Sequence, residues 1–444
     1  MALVGAALIF FNIAQTAPPA ELPGVSAKEN AADFSAPPFD REVASHKRVE
    51  VHDWLLSQAV KEGLSEPLQA FVSDTEKAEI DNARGEIPPR VGLSKSVSAN
   101  VNFRGLYMSA LKGRTLTLAN GAIGGSADGG FVYTVSLTSP GATAMRLHFT
   151  GFQMPPRTGL YLYTDTGEVF GPYTGRGPLG TGQFWSHTVE GDYVILQLHH
   201  MGQASDDVLH GSGFTISRVG HLRPRLMAGF CGFNAPCVEN ASCGTHAAVT
   251  DAKDAVAEML FVSGAFLYIC SGGLLNDTDP DTTIPHFLTA RHCISKGGEA
   301  ASLETFFKFT TSCGTSNCPS LSSVLQSQRT MGSTISVSKR ASDYPAAAIR
   351  TSTRGQRLSG LERITGGLQR TAPCSVSATH TAHRRPTQSM RWTPPLPPAE
   401  AGRAVTGFTA AIPMVPLKAA AAAHRWSTAK GRSSGNSQAV ADTT

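Results

Sequence analysis

The sequence predicts an all-β protein: a β-sandwich-like domain, then a second β-rich unit, then an irregular C-terminal tail. Three observations carry this. Short runs alternate apolar and polar residues, as in Phe131–Leu137, Met145–Phe149 and Tyr193–Leu198, which is the period of a half-buried strand. Gly, Pro and Asp-Gly turn residues separate the runs. All eight cysteines lie at or beyond Cys231, so a disulfide-bearing unit follows one that has no cysteine.

Composition sets the outer limits. The chain has 444 residues, 41% hydrophobic and 16% charged, enough for two or three domains with packed cores. The net charge of +4 is not gathered into a basic stripe, so nothing supports a nucleic-acid partner. No apolar run reaches membrane-spanning length, so a membrane partner is not expected either. A monomer is expected.

The elements follow in order. Ala2–Ala14 is an apolar run of signal-peptide length that leads into Gln15, Thr16, Ala17 and Pro18. It has no Lys or Arg before it, yet it reads as a signal-like segment over residues 1–20 and points to secretion. Residues 21–90 read as linker and helical propeptide. Trp54, Leu55, Leu56, Ala59 and Val60, then Leu68, Phe71 and Val72, are spaced among charges as on helices, and Pro88 and Pro89 end the stretch. Residues 91–222 read as the sandwich-like domain. His199 and His200 there are expected to be exposed strand-end residues, not metal ligands. Residues 226–344 return to short strands, clearest over Phe261–Leu275 and Pro285–Cys293.

Chemistry concentrates in two strings. Cys270-Ser271-Gly272-Gly273-Leu274-Leu275 is followed by Phe287-Leu288-Thr289-Ala290-Arg291-His292-Cys293. A general-base histidine must be held at a fixed place with its ring oriented. A Cys270–Cys293 disulfide would anchor the short turn that bears His292. No cysteines stand as C-x-x-C pairs, so a zinc site is the weaker reading, and no metal or organic cofactor is expected.

These strings resemble the chymotrypsin-fold, trypsin-like serine proteases, in particular their secreted bacterial lysyl-endopeptidase-like branch. Closely spaced Cys231 and Cys237 resemble the opening of the mature domain there, and Cys313 matches a cysteine after the next strands. The resemblance covers about residues 228–344 and implies the N-terminal barrel half of a trypsin-like domain, with the sandwich-like region as its pro-domain. It also implies that Cys237 pairs with Cys313, leaving Cys231 without its partner. His292 would be the general base, and Asp343, in Ser342-Asp343-Tyr344, would orient it. The substrate would be a protein or peptide.

Beyond Tyr344 the resemblance stops. The chain turns to Arg, Ala, Pro, Thr and Ser, as in Pro394-Pro395-Leu396-Pro397-Pro398, and residues 345–444 are expected to be a disordered tail. The genetic code allows a sharper reading, a frameshift near Tyr344 and another near Thr371. In the shifted frame residues 411–429 can encode G-S-S-G-S-P, which resembles the nucleophile motif of the family. The single codons of Met414 and Trp392 fit this recoding. The reactive serine would then come from the codons of Ala421 and Ala422 and is absent from the protein. Ser434 lies in a sequence that mimics the motif, but too little chain follows it to build a substrate groove. The expected function is therefore a serine endopeptidase by family, inactive as encoded. The competing reading is a non-catalytic secreted β-domain that binds a partner or aids folding.

Overall fold

A computed structural model describes residues 21–23, 41–60, 65–83, 86–224, 226, 241–244, 253–275, 285–308, 312–313, 321, 324, 328–339 and 346–351. Strands dominate it. The signal-like segment, Asp343 and the chain beyond Thr351 lie outside the described residues. None of the described helices is long and apolar enough to cross a membrane.

The N-terminal region forms two helices, α1 (Arg41–Gln58) and α2 (Asp74–Asn82). At α2, Ser73 accepts from Glu76 N while the Glu76 carboxylate accepts from Ser73 N, a reciprocal cap that fixes the helix start. Lys95 closes on that carboxylate at 2.7 Å. Leu68 and Phe71 are not helical: Leu68–Gln69 is a short strand, β1, parallel to β5 (Phe131–Thr138).

The next strands build a sandwich. One sheet runs β3 (Thr115–Thr117), β4 (Ala122–Gly125), β5, β11 (Tyr193–His200), β7 (Thr158–Tyr163) and β8 (Val169–Tyr173). The facing sheet contains β10 (Val189–Glu190), β6 (Ala144–Gln153), β12 (Gly213–Leu222) and β2 (Arg90–Asn102), with β9 (Phe184–Trp185) beside β6. Phe131, Tyr133, Leu147, Phe149, Leu196, Leu198 and Ile216 fill the space between. This is the two-layer solution for antiparallel sheets that each bury one face.

His199 and His200 correct the sequence expectation, because both are buried, at 2% and 4% exposure. β11 lies between β5 and β7, and α1 covers its outer face. Trp54 of α1 packs on the His199 ring at 4.4 Å, and the Gln197 amide, which also donates to Leu55 O, bonds the same ring. His200 stacks on Phe131 and pairs with Thr158. Burial holds His199 neutral, lowered to about 3.

The second unit is a nearly closed barrel. β13 (Val256–Ser263) pairs with β14 (Phe266–Leu275) and β16 (Glu304–Phe307); β14 continues to β15 (His286–Ala290), and β16 to β17 (Gln328–Met331). Gly332, at φ +71°, carries β17 directly into β18 (Ser333–Lys339). β19 (Ala346–Thr351) then pairs with both β18 and β15, which returns the sheet to its start. Met259, Phe261, Leu274, Phe287, Leu303 and Phe307 fill the interior. β19 also corrects the expected boundary at Tyr344, since the fold continues to Thr351. Alanine is a weak strand former, but hydrogen bonding along both edges holds this strand.

The barrel and the sandwich share one sheet. β2 pairs with β12 on one side and with β14 on the other. The outer face of β13 and β14, through Leu260, Val262, Leu267 and Ile269, packs with Val91, Ala144, Trp185 and Leu222. Within this seam Arg146 of β6 donates to Ser186 O and Ser302 O, both at 3.0 Å. Glu304 of β16 accepts from Thr188 N and Thr188 Oγ1 and from Arg329 Nη1. Burial pushes the Glu304 carboxyl up, but Arg146 and Arg329 outweigh it and hold it below its ordinary range.

Candidate active site

The site starts from how β14 and β15 meet. Gly272 faces Thr289 in register, and a Cβ on Gly272 would lie 2.3 Å from the Phe287 ring and 2.6 Å from Leu288 O. Only glycine permits that approach. The Thr289 hydroxyl donates to Ser271 O and ties the same two strands.

β15 ends in a tight turn. Cys293 N and Ile294 N both donate to Ala290 O. Cys293 is bonded to Cys270 of β14, with Cα atoms 6.2 Å apart, inside the range a disulfide spans. His292 stands on this turn between Arg291 and Cys293, its flank fixed by a covalent link to the neighbouring strand. It is exposed, yet partial desolvation lowers its pKa below the ordinary 6.5. The imidazole is therefore mostly neutral at pH 7, the form that can accept a proton.

Register brings the start of β19 to the same place. Ala346 opens β19 shortly after Asp343 and pairs with Ala290, just before His292. Asp343 itself, like Ser434, lies outside the described residues.

A cavity of about 360 Å³ opens beside the histidine. The barrel contributes Phe261, Ser263, Tyr268, His292, Cys293 and Glu299. The N-terminal region contributes Glu86, Ile87, Pro88 and Arg90. Sequence reasoning found none of these N-terminal residues at the site, because a segment far upstream carries no local sign of where it docks. Glu299 steadies the loop after His292 by accepting from Ser295 N, Lys296 N and the Ser263 hydroxyl; these bonds outweigh burial and lower its pKa.

The sulfurs of Cys270 and Cys293 and a His292 nitrogen lie within 4.8 Å of one another. Sulfurs joined in a disulfide offer no thiolate, the form that ligates metals.

The second disulfide corrects an expected pairing. Cys313 is bonded to Cys243, not to Cys237, with Cα atoms 4.8 Å apart. Cys243 closes a short 3₁₀ turn, Ala241–Cys243, that brings it within bonding reach. Two cysteines so close in sequence cannot be told apart as partners by spacing alone. Cys231, Cys237, Cys318 and Cys374 lie outside the described residues.

Comparison with known proteins agrees with this geometry. Residues 227–359 match the family described as lysyl endopeptidase, C-terminal domain. The chain is 30% identical over 181 residues to a lysyl endopeptidase of Pseudomonas aeruginosa, a match that covers 38% of each protein. The chain thus spans well under half the length of that relative. The barrel and its histidine turn are similar to the lysyl endopeptidase family.

Proposed function

We propose that this chain descends from a secreted serine endopeptidase that cleaves polypeptides by acyl transfer, and that it is catalytically silent as encoded. His292 is the general base and Asp343 the residue that orients it. The observation that carries the reading is the turn at His292, pinned by Cys270–Cys293 and lying in register with the strand that opens beyond Asp343. The two disulfides among the described residues support an oxidising compartment. The nucleophile and the oxyanion-hole amides belong to the part of the gene read out of frame after Tyr344, so the histidine has no hydroxyl to activate. The name of the relative suggests cleavage after lysine in the ancestor.

Ester hydrolysis and labelling by an organophosphonate test this. The chain as encoded is expected to do neither. A version with the reading frame restored at both shifts is expected to do both, and to lose activity by about 10⁴-fold or more on His292→Ala. Labelling of Ser434 in the chain as encoded, or full activity of the restored His292→Ala variant, would sink the proposal.

The shared sheet and the buried Arg146–Glu304 contact favour a second role for residues 91–222, as a folding aid for the barrel. That role predicts that a barrel made without residues 1–222 fails to fold, and that adding the separate sandwich rescues it.

A further inference from the structure

α1 holds to the sandwich by a small patch. Among its described side chains only Val51, His52 and Leu55 are buried. Val51 and Leu55 pack with Trp54 and Leu22 on Tyr161, Tyr163, Val169 and Ile195. Val43, Val49 and Leu56 of the same helix are exposed. Apolar burial therefore holds α1 only lightly, and its polar contacts decide how firmly it stays.

One of those contacts fixes a proton. The Gln197 amide lies 3.1 Å from Leu55 O, and a carbonyl only accepts, so the atom there is the amide nitrogen. The amide oxygen is turned to Tyr163, whose hydroxyl donates to it at 2.7 Å. The same amide nitrogen lies 2.8 Å from His199 Nε2. An amide nitrogen only donates, so Nε2 is the bare acceptor of a neutral ring. A proton on Nε2 would set two donors face to face. The amide would have to turn away, and that would withdraw its bond to Leu55 O of α1.

The surroundings give that proton little support. α1 presents the Trp54 ring, 4.4 Å from that of His199. β7 presents Tyr161, edge-on at 5.9 Å, whose hydroxyl is given to Pro23 O. β5 presents Val132 in register. Asp128, in the turn between β4 and β5, acts on the ring through its charge, but its carboxylate is already taken by the Ser126 hydroxyl, Gly130 N and Gly202 N. Glu50 and Asp53 of α1 and Glu21 beside Leu22 are exposed. His52, the other buried histidine of this contact, differs. Its Nε2 donates to Thr164 O at 2.9 Å, and a proton on its Nδ1 would leave that bond intact.

We propose that Gln197 and His199 form an acid-released latch on α1. At neutral pH the bare Nε2 lets the amide hold Leu55 O; in acid the protonated ring turns the amide away and frees the helix. Release bares Tyr161, Tyr163 and Val169 while the strands beneath stay paired. Burial in the docked state lowers the His199 pKa to about 3. Docking is therefore at full strength above the ordinary 6.5 and is lost as pH falls from there toward the lowered value. One proton is taken up for each helix released, so each pH unit in that window shifts the balance about tenfold. The latch involves neither His292 nor hydrolysis.

Hydrogen exchange of the full-length chain, read by mass spectrometry and corrected for the intrinsic pH dependence of amide exchange, tests the latch. Peptides from residues 41–58 are expected to lose protection by about 100-fold between pH 6.5 and pH 4.5, while peptides from β5 and β11 keep theirs. His199→Gln leaves an acceptor that takes up no proton, and it is expected to hold the protection of residues 41–58 level over the same range. Unchanged protection of these residues in the parent overturns the latch. So does an equal acid loss in His199→Gln, which would move the titration to another group such as His52. Loss of β5 and β11 protection in step with α1 overturns it too, since the sandwich itself would then be opening. Where His199→Gln lacks β11 protection already at pH 7, His52→Gln is read instead: persistence of the acid loss supports the latch, and its abolition overturns it.

Discussion

Arg146 and Glu304 meet 3.4 Å apart with both side chains fully buried, one rooted in the sandwich and the other in the barrel. Each also satisfies backbone groups of the opposite unit. Arg146 donates to Ser302 O, and Glu304 accepts from Thr188 N. A buried pair of this kind does not by itself add much stability, because taking both charges out of water is costly. Removing Arg146 is different, since Ser186 O and Ser302 O lose a buried donor and Glu304 keeps one cation, Arg329, in place of two. Arg146→Met is therefore expected to lower unfolding free energy by about 3–5 kcal/mol. Denaturant unfolding followed by hydrogen exchange and mass spectrometry should show sandwich and barrel opening together. A loss near zero, or two separated transitions in the parent, would contradict the seam.

Glu258 provides a pH test. It lies on β13 at 1% exposure, and neither carboxylate oxygen has a hydrogen-bond partner among the described residues. Burial pushes its pKa well above the ordinary 4.5. A raised carboxyl pKa means that the folded state binds the proton more tightly than the unfolded one. The associated stability is fully present below the unfolded pKa and is lost as pH rises through the folded value. Glu258→Gln is expected to match the parent near pH 4 and to exceed it in Tm at pH 7 to 8. Equal Tm values for the two proteins at pH 8 would refute this.

The disulfide beside His292 sets the rigidity of its turn. Replacing both Cys270 and Cys293 by Ala opens a covalent loop of 23 residues separation. The expected loss is about 3 kcal/mol from loop-closure entropy. Release of the turn also hydrates the imidazole, so its NMR titration midpoint should rise toward the ordinary 6.5 from the lower value that desolvation gives it. A midpoint unmoved by the double substitution would show that the disulfide does not position the ring.

Peptide mapping without reduction settles the second bridge. A proteolytic fragment joining Cys243 to Cys313 is expected. Recovery of Cys313 joined to Cys237 would favour the pairing that the sequence resemblance implies.

Alternation on strands with one face buried made the sandwich legible in the sequence, as at Phe131–Leu137 and Tyr193–Leu198. The same rule misjudged His199 and His200, because it has no means of knowing that α1 covers the outer face of β11. It also passed over Arg146, which reads as the polar position between Met145 and Leu147 yet faces the barrel. β19 escaped notice since Ala346–Ala348 offers no apolar contrast, and only pairing with β15 and β18 makes it a strand. The turn that carries His292 was legible because the two strings around Cys270 and Cys293 suggested the bridge that anchors it. The cavity wall that Glu86, Ile87, Pro88 and Arg90 supply beside it was not, because the approach of a segment to a turn so far downstream has no local signature.

The shared strand β2 has a consequence for the order in which the chain assembles during synthesis. A protein emerges N-terminus first, and its early domains fold before later ones are complete. The sandwich is finished at Leu222, while the barrel waits for β19, which must enter between β15 and β18. Throughout that interval the free edge of β2 stands ready, and β14 is among the first barrel strands to arrive. The nascent barrel thus grows from a template already in place, and the slow step of pairing strands distant in sequence is shortened by an edge that has already formed.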